Sequence, residues 1–171
     1  MPFTFAMIVA IGGPSNAGKS RLANRISREI FNGEAPVLCQ DDYVLPEKEL
    51  PMIRDHIDWE HPGTIDHARM ASDLLNLVKI KGTVIAEGFL IFSDKHLLGM
   101  FDKMIFITLS EEVFRRRKTL DLRWGREPVW YIDHIWKRFL EYGKPPASGP
   151  LLVLNGEGEW PMKKIEEYLA S

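Results

Sequence analysis

The stretch Gly13-Pro14-Ser15-Asn16-Ala17-Gly18-Lys19-Ser20 constrains this chain more than any other. It has the spacing G-x-x-x-x-G-K-S and lies between two segments of different periodicity. Before it, Phe5-Ala6-Met7-Ile8-Val9-Ala10-Ile11 is apolar throughout, as a buried strand is. After it, Leu22, Ile26 and Ile30 recur at helical spacing, with Arg21, Arg25 and Arg28 between them. A strand over roughly 4–11, a glycine-rich turn and a helix from about Lys19 to Phe31 form the setting in which this octapeptide wraps a phosphate. Glycines let the backbone close around an anion without a Cβ in the way. The loop N–H groups and the positive end of the helix point at that anion. Lys19 can then reach β- and γ-phosphates, and Ser20 can present its hydroxyl to Mg²⁺. The acceptor stays open, because motors, GTPases and small-molecule kinases all use such a loop.

The rest of the chain alternates strands with helices. Asn32-Gly33 stops the first helix. Pro36-Val37-Leu38-Cys39-Gln40 reads as a second strand ending in Asp41-Asp42-Tyr43. Residues 44–63 lack periodicity and form a long connection of the kind that is usually functional or disordered. Thr64 is the expected N-cap of an amphipathic helix marked by Met70, Leu74, Leu77 and Val78 and closed by Gly82. Thr83 to Ala86 is a third strand ending at Glu87-Gly88. Ser93 is the expected cap of a short helix, and Lys103 to Leu109 is a fourth strand. Ser110 caps a helix carrying Arg115-Arg116-Arg117-Lys118. The polar residues 120–128 suggest a mobile segment, followed by a helix from Val129 to Tyr142. Leu151 to Leu154 is a last strand, and Pro161 starts a final helix. This order predicts an α/β fold: a three-layer arrangement with a parallel sheet, helices on both faces and right-handed crossovers. Ligands in such sheets sit beyond the carboxyl ends of the strands. The loop at Gly13, the pair Asp41-Asp42 and Glu87 all fall there.

Composition narrows the classes. At 171 residues one domain is expected, and 45% hydrophobic with 27% charged residues is ordinary for a soluble globular chain. A formal charge of -2 favours neither nucleic acid nor an anionic membrane as partner. The one cysteine, Cys39, leaves no internal disulfide and fits a reducing compartment, so a cytoplasmic location is expected. The first apolar run is too short to span a bilayer and leads straight into the phosphate loop. The five histidines form no metal-ligand spacing; His61, His67 and His134 read as polar loop or helix residues, and Trp136 and Phe139 as core.

Taken together, Gly13 to Ser20, Gln40-Asp41-Asp42-Tyr43, Glu87-Gly88-Phe89-Leu90-Ile91-Phe92 and Arg115-Arg116-Arg117 resemble the nicotinamide riboside kinases, which group with uridine–cytidine kinases among P-loop nucleoside kinases. Trp59-Glu60-His61-Pro62 is similar to the stretch that receives the nucleoside. The resemblance implies ATP and Mg²⁺ as cofactors, a small-molecule nucleoside as substrate, and a monomer or weak homodimer. It implies that Asp41 and Lys19 are catalytic and that Ser20, Asp41 and Glu87 surround the metal. Nucleotide contacts fall to Gly13, Pro14, Ser15, Asn16, Ala17, Gly18, Lys19, Ser20, Arg21, Arg116 and Arg123. Substrate contacts fall to Asp41, Asp42, Tyr43, Trp59, Glu60, Arg117 and Trp124. The nucleoside loop covers about 41–63 and the lid about 118–130.

Two points depart from the family pattern. Leu120 and Leu122 stand where another arginine and an aromatic belong, with Arg123-Trp124 slightly later, so either Trp124 or Trp130 completes the base slot. Asp58 also competes with Glu60 for the sugar. The competing functions are a uridine or cytidine kinase and a nucleotide-binding switch that transfers nothing.

Overall fold

The computed structural model describes residues 6–171, so Thr4 and Phe5, counted into the first strand from sequence, lie outside the described residues. Five parallel strands form the main sheet: β1 (Met7–Gly12), β2 (Val37–Cys39), β5 (Thr83–Glu87), β6 (Lys103–Thr108) and β7 (Leu151–Asn155), in the order β2-β5-β1-β6-β7. Helices α1 (Lys19–Ile30) and α6 (Met162–Ala170) cover one face. Helices α2 (His67–Lys81), α3 (Lys95–Leu98) and α5 (Val129–Tyr142) cover the other, and α4 (Glu111–Leu120) packs beside α5.

The central strands are apolar on both faces because each face is roofed. Along β1, Ile8 and Ala10 join the core beneath α2, while Met7, Val9 and Ile11 join the core beneath α1. Leu22 and Ile26 of α1 are fully buried in that second core. The chain leaves β1 for the β2 side first and later returns to place β6 on the opposite side. The crevice beyond β1 is therefore the switch point where such sheets bind ligands.

Where helices begin differs from the sequence reading in two places. Asp66, not Thr64, caps α2, its carboxylate accepting from the Arg69 N–H at 2.9 Å. Thr64 is held in the chain before the helix, buried and bonded to the His61 carbonyl at 2.8 Å, while Ile65 bridges to Val44 in extended conformation. Likewise Asp94 rather than Ser93 caps α3, accepting from the Leu97 N–H. The Ser93 hydroxyl turns back to the Leu90 carbonyl.

The long connection is structured. It holds a small hairpin of β3 (Met52–Ile53) and β4 (His56–Ile57), turned at Arg54 with φ 54°. Single turns of 3₁₀ helix at Gln40–Tyr43, Glu47–Glu49 and Pro62–Thr64 flank it.

Candidate active site

The phosphate end is assembled from three strand termini. Gly18 caps α1 at φ 93°, and a Cβ there would meet the Trp160 ring at 2.9 Å, so only glycine fits. No side chain caps α1 and no acid stands in its first turn, which leaves the helix end to an anion. Lys19 Nζ donates to the Pro14 carbonyl at 2.9 Å, folded along the loop. Burial lowers the Lys19 pKa, while the charges of Glu87 and Asp41 oppose that shift and favour the ammonium. Ser20 Oγ donates to Glu87 Oε1 at 2.8 Å. Glu87 ends β5 beside Ile11 of β1 and Cys39 of β2, and is only 2% exposed.

Asp41 is the second residue of the 3₁₀ turn Gln40–Tyr43 after β2 and is exposed. Its charge favours the protonated forms of Lys19 and Arg123, and β2, which precedes it, ends in parallel beside Glu87 of β5. The neighbouring Gly88 lets β2 and β5 end close together: a Cβ there would lie 2.3 Å from Gln40 Oε1, which accepts from the Leu90 N–H. Burial and Glu87 push the Cys39 thiol up to about 12, so it stays protonated. Asp42 is exposed, with its carbonyl taken by Arg69. Tyr43 has its ring in the core and donates its hydroxyl to Asp73 at 2.9 Å.

Two hard carboxylates and a hydroxyl, gathered beside the phosphate loop, suit Mg²⁺, which binds through few protein oxygens and completes its shell with phosphates and water. Ser20, Glu87 and Asp41 would hold it. Among the described residues, no group of three or more His, Cys, Asp or Glu forms a metal cluster.

A pocket beside the loop is lined by Asn16, Gly18, Arg21, Arg117, Gly156 and Trp160. The resemblance puts Arg117 on the substrate; here its guanidinium instead donates to the Asn16 and Gly156 carbonyls, at 3.1 and 3.0 Å. Arg21 lies over the Trp160 ring. The Trp160 indole N–H is buried with no hydrogen-bond partner among the described residues, a donor available to a ligand in this pocket. Arg116 is exposed, near enough to Glu157 to act on its charge. Asn16 Nδ2 donates to Asp121 at 2.9 Å, and Asp121 pairs with Arg123 at 2.6 Å, so the segment 121–123 is tied to the phosphate loop. Those partners hold the Asp121 carboxyl well below the usual range, the Arg123 hydrogen bond being the largest cause.

The third group comes from the loop after β4, from α4 and from α5. Trp59 is 43% exposed. Asp58 is buried and committed: it accepts from His134 at 2.8 Å and from Arg138 at 2.7 Å. A buried carboxylate needs such pairing, and both Asp58 oxygens are engaged by these partners. Arg138→Met should therefore lower unfolding free energy by on the order of 3 kcal/mol, read as a lower urea midpoint; a change near zero would show the pair to be solvated. Glu60 accepts from the Tyr131 hydroxyl at 2.5 Å. Burial pushes Glu60 up to about 7, against the Tyr131 hydrogen bond and the Lys118 charge. Lys118, buried on α4, is a residue the sequence reading passed over, as is Tyr131. Trp124 is 82% exposed, whereas Trp130 is packed under Arg54 at 4.3 Å and edge-on to Tyr131.

A loop-bound lysine, a helix end open to phosphate and carboxylates at the neighbouring strand ends define a phosphotransferase of the P-loop kinase type. No protein-family model matches the chain. Its curated relatives are nicotinamide riboside kinases and uridine kinases. It is 28% identical to uridine kinase of Chlamydia pneumoniae, over 81% of this chain and 73% of the relative. It is 25% identical to nicotinamide riboside kinase 1 of Mus musculus, over 82% and 80% of the two chains. Nicotinamide riboside kinase 2 of Homo sapiens matches at 26% over 94% and 76%. In fold it is similar to a sugar kinase from Janibacter sp. HTCC2649, with TM-score 0.60 at 18% identity over 95% and 92% of the chains. No helix among the described residues is long and apolar enough to cross a membrane.

Proposed function

We propose that this chain transfers the γ-phosphoryl group of ATP to the 5′-hydroxyl of a ribonucleoside, and that nicotinamide riboside is its preferred acceptor. The observation that carries the reading is the position of Asp41, exposed just after β2, where its charge favours the protonated forms of Lys19 and Arg123. In this reading Lys19 and the N–H groups around Gly13 to Ser20 hold the β- and γ-phosphates. Asp41 accepts the proton of the attacking hydroxyl. Arg123 offers charge to the moving phosphoryl group, and Arg117, Arg116 and Trp160 serve the nucleotide side. Mg²⁺, held by Ser20, Glu87 and Asp41, would neutralise charge on the bridging phosphate oxygens. Glu60 takes the ribose hydroxyls, and the Trp59 face suits a flat cationic pyridinium by stacking and cation–π attraction. The exposed apolar residues Leu120, Leu122 and Trp124 suit a lid that closes over the acceptor and excludes water. The enzyme is taken to act in the cytosol as a monomer or weak homodimer.

The uridine kinase relatives favour a second acceptor, uridine or cytidine, for the same machinery. ADP release measured across a nucleoside panel separates the two. The first reading expects turnover greatest with nicotinamide riboside. Greatest turnover with uridine replaces it by the second, and ATP binding without acceptor-stimulated turnover refutes both.

A further inference from the structure

We propose that Tyr131 is the positioning residue of the nucleoside slot: its single phenolic proton passes between Glu60 and the β4 carbonyl of Ile57, so that capture of a vicinal diol is linked to loss of a proton from Glu60. This rests on the assignment of Glu60 to the ribose.

Three groups reach the phenolic oxygen. Glu60 Oε2 lies at 2.5 Å, the Ile57 carbonyl at 3.0 Å, and the Trp59 N–H donates to it at 3.2 Å. A phenol has one proton, so it cannot donate to Glu60 and Ile57 together. With Glu60 ionised, the phenol donates to the carboxylate. With Glu60 protonated, the carboxyl O–H donates to the phenol and the phenol turns its proton to Ile57. The Trp59 N–H is satisfied in both arrangements, and no heavy atom has to move. The side chain of Glu60 is thus held in place whichever form it takes, and only its donor or acceptor character changes. An ionised carboxylate is acceptor-only and can take both hydroxyl protons of a diol; the protonated form cannot.

The surroundings restrict both partners. Tyr131 is 1% exposed, and its ring stacks on His56 with centroids 3.9 Å apart. His56 Nε2 in turn faces Glu127 at 3.4 Å. Lys118 from α4 favours the ionised carboxylate, while Asp58 and Glu127 disfavour it. Asp58 is itself largely offset by His134 and Arg138. Burial outweighs these charges and brings the Glu60 titration to about 7, within the working range of an enzyme.

The sign follows from the competent form. Above the titration Glu60 is ionised and accepts the diol; below it, nucleoside must compete with a proton. In the bound complex the diol's own hydrogen bonds favour ionisation, so the effect falls on KM rather than kcat. The test is kcat and KM for a ribonucleoside between pH 5.5 and 8.5 at saturating ATP and Mg²⁺, for the wild type, Tyr131→Phe and Glu60→Gln. A 2′,3′-dideoxynucleoside serves as comparison. The wild-type KM should fall about tenfold from pH 6 to pH 8, with kcat changed less than about twofold. Tyr131→Phe keeps the stacked ring but loses the donor, so the inflection should move to higher pH. Glu60→Gln should abolish it, and the dideoxynucleoside should show none. An inflection absent from the wild type, or unmoved in a folded Tyr131→Phe enzyme, overturns the proposal while leaving the kinase reading intact. Equal KM values for ribo- and dideoxynucleoside at pH 8 would remove Glu60 from the ribose, and the proposal with it.

Discussion

Asp41→Ala is expected to lower kcat by about 10²-fold or more while the KM for ATP changes little. The asymmetry follows from where the residue sits. It is exposed at the end of β2, outside both cores, so truncation removes no packing. Phosphate binding resides in the loop and the α1 terminus, which stay intact. What is lost, in the proposed mechanism, is the carboxylate that would accept the proton of the attacking alcohol and would share in holding Mg²⁺. Asp41→Asn keeps the shape and removes the charge, so it should be nearly as slow. Steady-state rates with nucleotide affinity measured in parallel decide this. Unchanged turnover in the alanine variant would take Asp41 out of the chemistry.

The second large effect belongs to Lys19. Lys19→Ala should reduce kcat/KM by about 10³-fold and also weaken ATP binding. Unlike Asp41, this ammonium meets phosphate in both ground state and transition state, so both parameters suffer. Burial lowers its pKa, and Glu87 and Asp41 beside it oppose that shift. A guanidinium is larger and planar, and the room here was shaped by a side chain folded onto the Pro14 carbonyl, so Lys19→Arg should restore little. Normal kinetics in Lys19→Ala would contradict the assignment of the phosphate loop.

The parts of this site legible in sequence are those tied to strand ends. An apolar strand followed by the glycine loop located Lys19 and Ser20. The runs ending at Asp41 and Glu87 put two carboxylates on the same rim, because parallel strands share a direction. Short-range signals failed where tertiary contacts decided. Thr64 and Ser93 have the chemistry of caps, but the chain stays non-helical there and Asp66 and Asp94 take the role. The strands of the small hairpin are two residues each, too short to carry a period. The basic run on α4 shows how one residue matters: each step rotates the helix by about 100°. Arg117 thereby turns to the phosphate loop, while the charge of Lys118 acts on Glu60. The pairing of Asp58 with His134 and Arg138, 76 and 80 residues away, left no trace in local pattern.

The account turns on one distance. In a crystal of the enzyme with a non-hydrolysable ATP analogue, Mg²⁺ and nicotinamide riboside, with the lid closed, the Asp41 carboxylate should lie about 3 Å from the nucleoside 5′-oxygen, in line with the γ-phosphorus. A closed complex in which that oxygen contacts another group and Asp41 stands beyond hydrogen-bonding reach would contradict it.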